Sequence, residues 1–91
     1  MIDSKPAKRK LLLIDDEQDI ISIMKQGLQS HGFVVDAYHD PRAALKNFKP
    51  SYYDPVITDI RMPGMNGFEL ARRIWAIDPN ADVCFLSSLQ I

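Results

Sequence analysis

The sequence predicts an α/β fold, a parallel sheet with helices on both faces, and three observations lead there. Four short apolar runs alternate with three segments of helical periodicity over 91 residues. The first of them, Leu11 to Ile14, is continuously apolar, as a strand buried on both faces is. Polar turns rich in aspartate, glycine and proline separate them.

The first nine residues, with Lys5, Pro6, Lys8 and Arg9, have little to bury and read as a mobile basic tail, so the expected domain is 10–91. Leu11-Leu12-Leu13-Ile14 is the first strand, ending at Asp15-Asp16-Glu17. From Asp19 onward, Ile20, Ile23, Met24 and Leu28 recur at helical spacing, and Gly32 supplies a stop. Gly27 inside that helix costs about 1 kcal/mol relative to alanine unless close packing uses its missing side chain. Phe33 to Tyr38 is the second strand. Asp40-Pro41 forms an N-cap and first-turn pair, and Ala44, Leu45 and Phe48 give the short second helix its apolar face.

Pro50 breaks that helix, and Pro55 fits only at the start of the strand Val56-Ile57-Thr58, which ends at Asp59. The turn Met62-Pro63-Gly64-Met65-Asn66-Gly67 leads into a third helix whose expected buried face is Leu70, Ala71, Ile74, Trp75 and Ile77. Val83 to Leu86 is the fourth strand, with Ser87-Ser88 after it. Cys84, between Val83 and Phe85, reads as a small buried hydrophobe.

Composition narrows the functional classes. Hydrophobic residues make up 46% and charged residues 25%, ordinary for a globular domain, and the formal net charge of -1 gives no field favouring nucleic acid or an anionic membrane. No apolar run approaches the roughly 20 residues of a membrane helix, and the start of the chain has no signal-peptide pattern, so the expected compartment is the cytoplasm.

In parallel α/β sheets, ligands bind at the carboxyl ends of the strands, where Asp15, Asp16, Asp59 and Ser87 all fall. If the first and third segments were neighbours, three carboxylates would crowd one point. Like charges that close need a divalent cation or a raised pKa, and an all-oxygen set suits Mg2+, with Mn2+ as an alternative. Zinc is disfavoured because no cysteine or histidine falls at ligand spacing, and His31 and His39 read as surface or turn residues. With a hydroxyl from Ser87, the set describes a phosphoryl-transfer site with Asp59 as nucleophile. Asp16, Glu17 and Asp19 also fit a plain role at the start of a helix, but no helix begins at Asp59 for it to cap.

Leu12-Leu13-Ile14-Asp15-Asp16-Glu17, the run from Val56 through Asp59 to Gly67, and Phe85-Leu86-Ser87-Ser88 together resemble the three signature segments of response-regulator receiver domains. The resemblance implies a flavodoxin-like fold of strand order 2-1-3-4-5, with the first and third strands adjacent. It implies phosphorylation on Asp59, Mg2+ held by Asp16 and Asp59, and Asp15 acting mainly through metal-bound water. The backbone carbonyl of Arg61 would be a further ligand, and the Ser87 hydroxyl would contact the phosphoryl group. The implied partner is a sensor histidine kinase or phosphotransfer protein, and the implied role is a signalling phosphoacceptor that promotes its own modification rather than an enzyme.

The sequence departs from that pattern after the fourth strand, where receivers continue to a fifth strand bearing a lysine; Lys10, Lys25, Lys46 and Lys49 lie in other segments. The fold expected is thus a receiver truncated after its fourth strand, with an exposed edge able to pair with a second copy or another partner. The alternatives are a non-catalytic receiver-fold interaction module or inactive fragment, and a small magnesium-dependent phosphohydrolase. The last expects an acidic residue two positions after the nucleophile, where Arg61 stands.

Overall fold

A computed structural model describes residues 9–86. Seven elements follow in order: β1 (Lys10–Ile14), α1 (Gln18–Ser30), β2 (Val34–Tyr38), α2 (Pro41–Lys46), β3 (Pro55–Asp59), α3 (Gly67–Ile77) and β4 (Asp82–Leu86). The expected basic tail, up to residue 8, lies outside the described residues, as do Ser87 and Ser88. Arg9 is described: its carbonyl accepts from the Val34 amide at 2.9 Å and its Nε lies 3.7 Å from Asp54 Oδ2.

All strand pairs are parallel, in the order β2-β1-β3-β4. The chain goes out to β2 on one side of β1 and returns to β3 on the other. That reversal is the topological switch point, and it brings the carboxyl ends of β1 and β3 side by side, with Ile14 opposite Thr58.

The two-residue period of a strand divides the β1 side chains between two cores. Leu12 and Ile14 join Val56, Ala44, Leu70 and Ile74 under α2 and α3, whereas Leu11 and Leu13 join Val35, Met24 and Leu28 under α1. These four side chains, Leu11 to Ile14, are at most 1% exposed, which is why the run is continuously apolar. Each such burial stabilises the fold by about 1.5–3 kcal/mol.

Helix boundaries follow local chemistry. Gly32, at φ +92°, ends α1: its amide bonds to the Gln29 carbonyl, and the Phe33 amide bonds to that of Leu28. Asp40 caps α2 by accepting from the Arg42 amide at 3.0 Å, with Pro41 in the first turn.

Three burial expectations are corrected. In α1, Met24 and Leu28 face the sheet, but Ile23 is 69% exposed and Ile20 is also exposed. Ile23 precedes Met24 by one residue, about 100° around the helix, so one narrow core-facing stripe cannot take both. In α3, Leu70, Ala71 and Ile74 are buried, whereas Trp75 and Ile77 flank that stripe and are exposed; the Trp75 indole donates to the Ala81 carbonyl at 2.8 Å. Cys84 is exposed as well. Its register partner is Ile57, which lies against the α1-side core, and among the described residues no helix extends over β4 on that face.

Candidate functional site

Each strand end delivers its carboxylate through local hydrogen bonds. At the end of β1, the Asp15 amide continues the ladder by donating to the Tyr38 carbonyl at 3.2 Å, and Asp15 Oδ1 accepts from the Glu17 amide at 3.0 Å. That side-chain bond turns the chain toward α1 and leaves Asp16 exposed. Asp59 ends β3 opposite Leu86 of β4, and the next amide, that of Ile60, donates to the Leu86 carbonyl at 3.2 Å.

The loop after Asp59 is anchored at several points. Met62 and Met65 are buried in the core under α2 and α3. The Gly67 amide donates to the Ile60 carbonyl at 2.8 Å. A β-carbon on Gly67 would collide with the Asp59 carbonyl oxygen and lie 3.0 Å from Ile60 Cα, so the close approach of α3 to the end of β3 requires glycine. Asn66 caps α3, its Oδ1 accepting from the Glu69 amide at 2.9 Å.

Asp15, Asp16 and Asp59 each place a carboxylate oxygen within 4.8 Å of the other two. Asp15 is 6% and Asp59 9% exposed, while Asp16 faces solvent. Burial raises the Asp15 carboxyl above its ordinary range, the Glu17 amide bond opposes that rise, and the charges of Asp59, Asp16 and Glu17 reinforce it. Three hard oxygen donors, one on a solvent-facing side chain, fit an oxygen-coordinated divalent cation that keeps part of its water. Beside them opens a cleft of about 430 Å3 lined by Asp16, Arg61, Met62, Pro63 and Asn66.

Of the residues singled out in the sequence, Asp15, Asp16 and Asp59 come together, and Arg61 lies on the cleft wall beside Asp16. His31 and His39 are exposed at a helix end and a strand end, apart from the acidic group. Two contributors escaped the sequence reading: Asn66 as cap and cleft wall, and Gly67 as close-packing position. The first had a visible signal in Asn66-x-x-Glu69, the spacing of a helix cap.

A flavodoxin-like sheet with a carboxylate cluster at its β1/β3 switch point defines a small α/β module whose clustered oxygen donors fit a hard divalent cation. The family model "Response regulator receiver domain" matches residues 11–90, and the chain belongs to that family. It is 40% identical over 74 residues to the C4-dicarboxylate transport transcriptional regulatory protein DctD of Rhizobium meliloti, covering 81% of this chain and 16% of that protein. It is similar to the solved structure of response regulator protein TrrA from Thermotoga maritima in complex with Mg(2+)-BeF, at 33% identity and TM-score 0.80, covering 90% of this chain and 71% of TrrA. The complex of histidine kinase ThkA with TrrA matches at 35% identity and TM-score 0.81, covering 91% and 72%. The chain spans 16% and 37% of the first two curated relatives.

Proposed function

We propose that this chain is the phosphoacceptor receiver of a two-component phosphorelay, taking a phosphoryl group from a histidine kinase or phosphotransfer protein onto Asp59 in the presence of Mg2+. The observation that carries this reading is the convergence of Asp15, Asp16 and Asp59, from the ends of two neighbouring strands, within 4.8 Å. Receiver-family membership supports the reaction class, the ThkA–TrrA complex supports a kinase donor, and the Mg(2+)-BeF complex of TrrA supports the metal.

In this reading the carboxylates of Asp16 and Asp59 and the carbonyl of Arg61 would hold Mg2+, with Asp15 acting mainly through water on the metal. Bound there, the cation supplies positive charge against the equatorial oxygens of the transferring group. An Asp59 carboxylate oxygen forms a bond to phosphorus as the P–N bond of a phosphohistidine breaks. The imidazole leaves with the bonding pair and takes a proton from solvent. Ser87 donates its hydroxyl to a phosphoryl oxygen. The chain is itself the modified product, a signalling role rather than turnover catalysis, and its compartment is the cytoplasm; among the described residues no helix is long and apolar enough to cross a membrane.

The test is intact-mass analysis after incubation with acetyl phosphate and Mg2+. One phosphoryl increment, absent in Asp59→Asn and absent without Mg2+, is the expected result; a native chain that stays unmodified overturns it.

A second, compatible reading is association through β4 with a second copy or another partner. It is favoured by the exposure of Cys84 on the outermost described strand. Sedimentation that shifts with concentration is expected, and a monomer throughout the range would sink it.

A further inference from the structure

Thr58 is a polar side chain in a place where packing alone favours an apolar one. It is fully buried, and strand alternation sets it on the same face of β3 as Val56, which packs with Leu12, Ile14, Leu70 and Ile74 under α2 and α3. Valine has nearly the same shape and brings no polar atom to a site where an unpaired hydroxyl costs free energy. The Thr58 hydroxyl is paired: it donates to the carbonyl oxygen of Asp59 at 3.0 Å.

That bond holds the peptide unit that follows the acceptor. Asp59 stands one residue past the last pair between β1 and β3, Ile14 with Thr58, and the hydroxyl supplies a donor where that ladder stops. The same peptide unit is held at its other end, because the Ile60 amide donates to the Leu86 carbonyl at 3.2 Å. A peptide unit is planar, so fixing its C=O and its N–H fixes its orientation. The next unit is held as well, by the bond from the Gly67 amide to the Ile60 carbonyl at 2.8 Å. These two units connect the acceptor to Arg61, so their orientation fixes the Arg61 carbonyl relative to Asp59.

We propose that Thr58 is a positioning residue for the acceptor: its buried hydroxyl holds the peptide after Asp59, and so keeps the Asp59 carboxylate in place for the incoming phosphoryl group. The inference rests on the phosphoacceptor reading above and adds to it a residue that acts through the backbone of Asp59. Orientation of this kind raises the rate of transfer without strengthening capture of the donor. A role in packing alone would belong to the methyl group and the branched shape, both of which valine keeps.

The experiment uses the full chain and the variants Thr58→Val and Thr58→Ser. Phosphoryl uptake from acetyl phosphate is followed by intact mass at saturating Mg2+ over a range of donor concentrations. In uptake, an Asp59 oxygen bonds to phosphorus and acetate leaves with the bonding pair. Amide hydrogen exchange is followed separately by NMR in EDTA. In Thr58→Val the maximal rate is expected to fall about fivefold, the size of one net hydrogen bond, at unchanged half-saturation. The Ile60 amide should exchange about fivefold faster, while that of Leu13 in the buried centre of β1 keeps its native protection. Thr58→Ser, which retains the hydroxyl, should stay within about twofold of native in both measurements. If Thr58→Val does not fold, Thr58→Ala set against Thr58→Ser isolates the hydroxyl in the same way. Uptake by Thr58→Val at the native rate overturns the inference alone, as does a loss shared by Thr58→Ser or exchange that quickens equally at Leu13. No uptake by the unsubstituted chain overturns the phosphoacceptor reading and this inference together.

Discussion

At the scale of single residues, Asp15 and Gly67 show how the site and the fold compete for the same few atoms. The carboxyl of Asp15 is raised above its ordinary value of 3.8, first by burial and then by its acidic neighbours. Between 3.8 and that raised value the folded chain binds more protons than the unfolded one. Without metal, stability contributed by this group is therefore present below 3.8 and is lost as pH rises through the folded pKa. Asp15→Asn, whose amide oxygen still accepts from the Glu17 amide, should melt above the native chain at neutral pH in EDTA. The difference should vanish in acid, and melts across the pH range would sink the account if the variant were less stable at neutrality. Gly67→Ala should cost about 1–3 kcal/mol in chemical denaturation, the range for overpacking. Because the clash falls on the Asp59 carbonyl, it should also slow phosphoryl uptake; a variant as stable and as fast as native would refute the close approach.

At the scale of elements, α1 offers a contrast between two glycines. Gly32 is needed for its positive φ, whereas Gly27 sits mid-helix with open space where its β-carbon would be. No packing compensates its lost helix propensity. Gly27→Ala should therefore stabilise the chain by about 1 kcal/mol, visible as a rise in melting temperature of roughly 4–8 °C for a domain of this size. An unchanged or lower melting point would show that α1 is already constrained in some other way. The connections are tied with similar economy. Ser51, a non-glycine residue at φ 59°, donates its amide to Asp78 Oδ2 at 2.9 Å, so the loop before β3 is fastened to the end of α3.

At the scale of the whole molecule, the acidic group is an electrostatic cost that a bound cation reverses. Three carboxylates held within 4.8 Å repel in the folded state, whereas unfolding releases Asp59 from Asp15 and Asp16. Mg2+ held there by the folded state alone would stabilise it by about 2.7 kcal/mol at 100 times its dissociation constant. A thermal melt with Mg2+, set against one in EDTA, should show a rise that shrinks in Asp59→Asn. Equal melting temperatures in both conditions would mean that the carboxylates do not share a cation.

Much of this molecule could be read from residue order. The unbroken apolar run Leu11 to Ile14 required a strand covered on both sides, Asp40-Pro41 required a helix start, and the acidic residues after the apolar runs pointed to strand-end chemistry. These features are local, since each depends on chemistry within a few positions of the chain. The exposure of Ile20, Ile23, Trp75, Ile77 and Cys84 followed only from packing, because an apolar residue is buried when a neighbouring layer reaches it, and periodicity does not say how far that layer extends. The side-by-side placement of β1 and β3 was likewise a tertiary outcome. More than forty residues separate Asp15 from Asp59, and the crossover from β2 to β3 over β1 is what brings their carboxylates to one point.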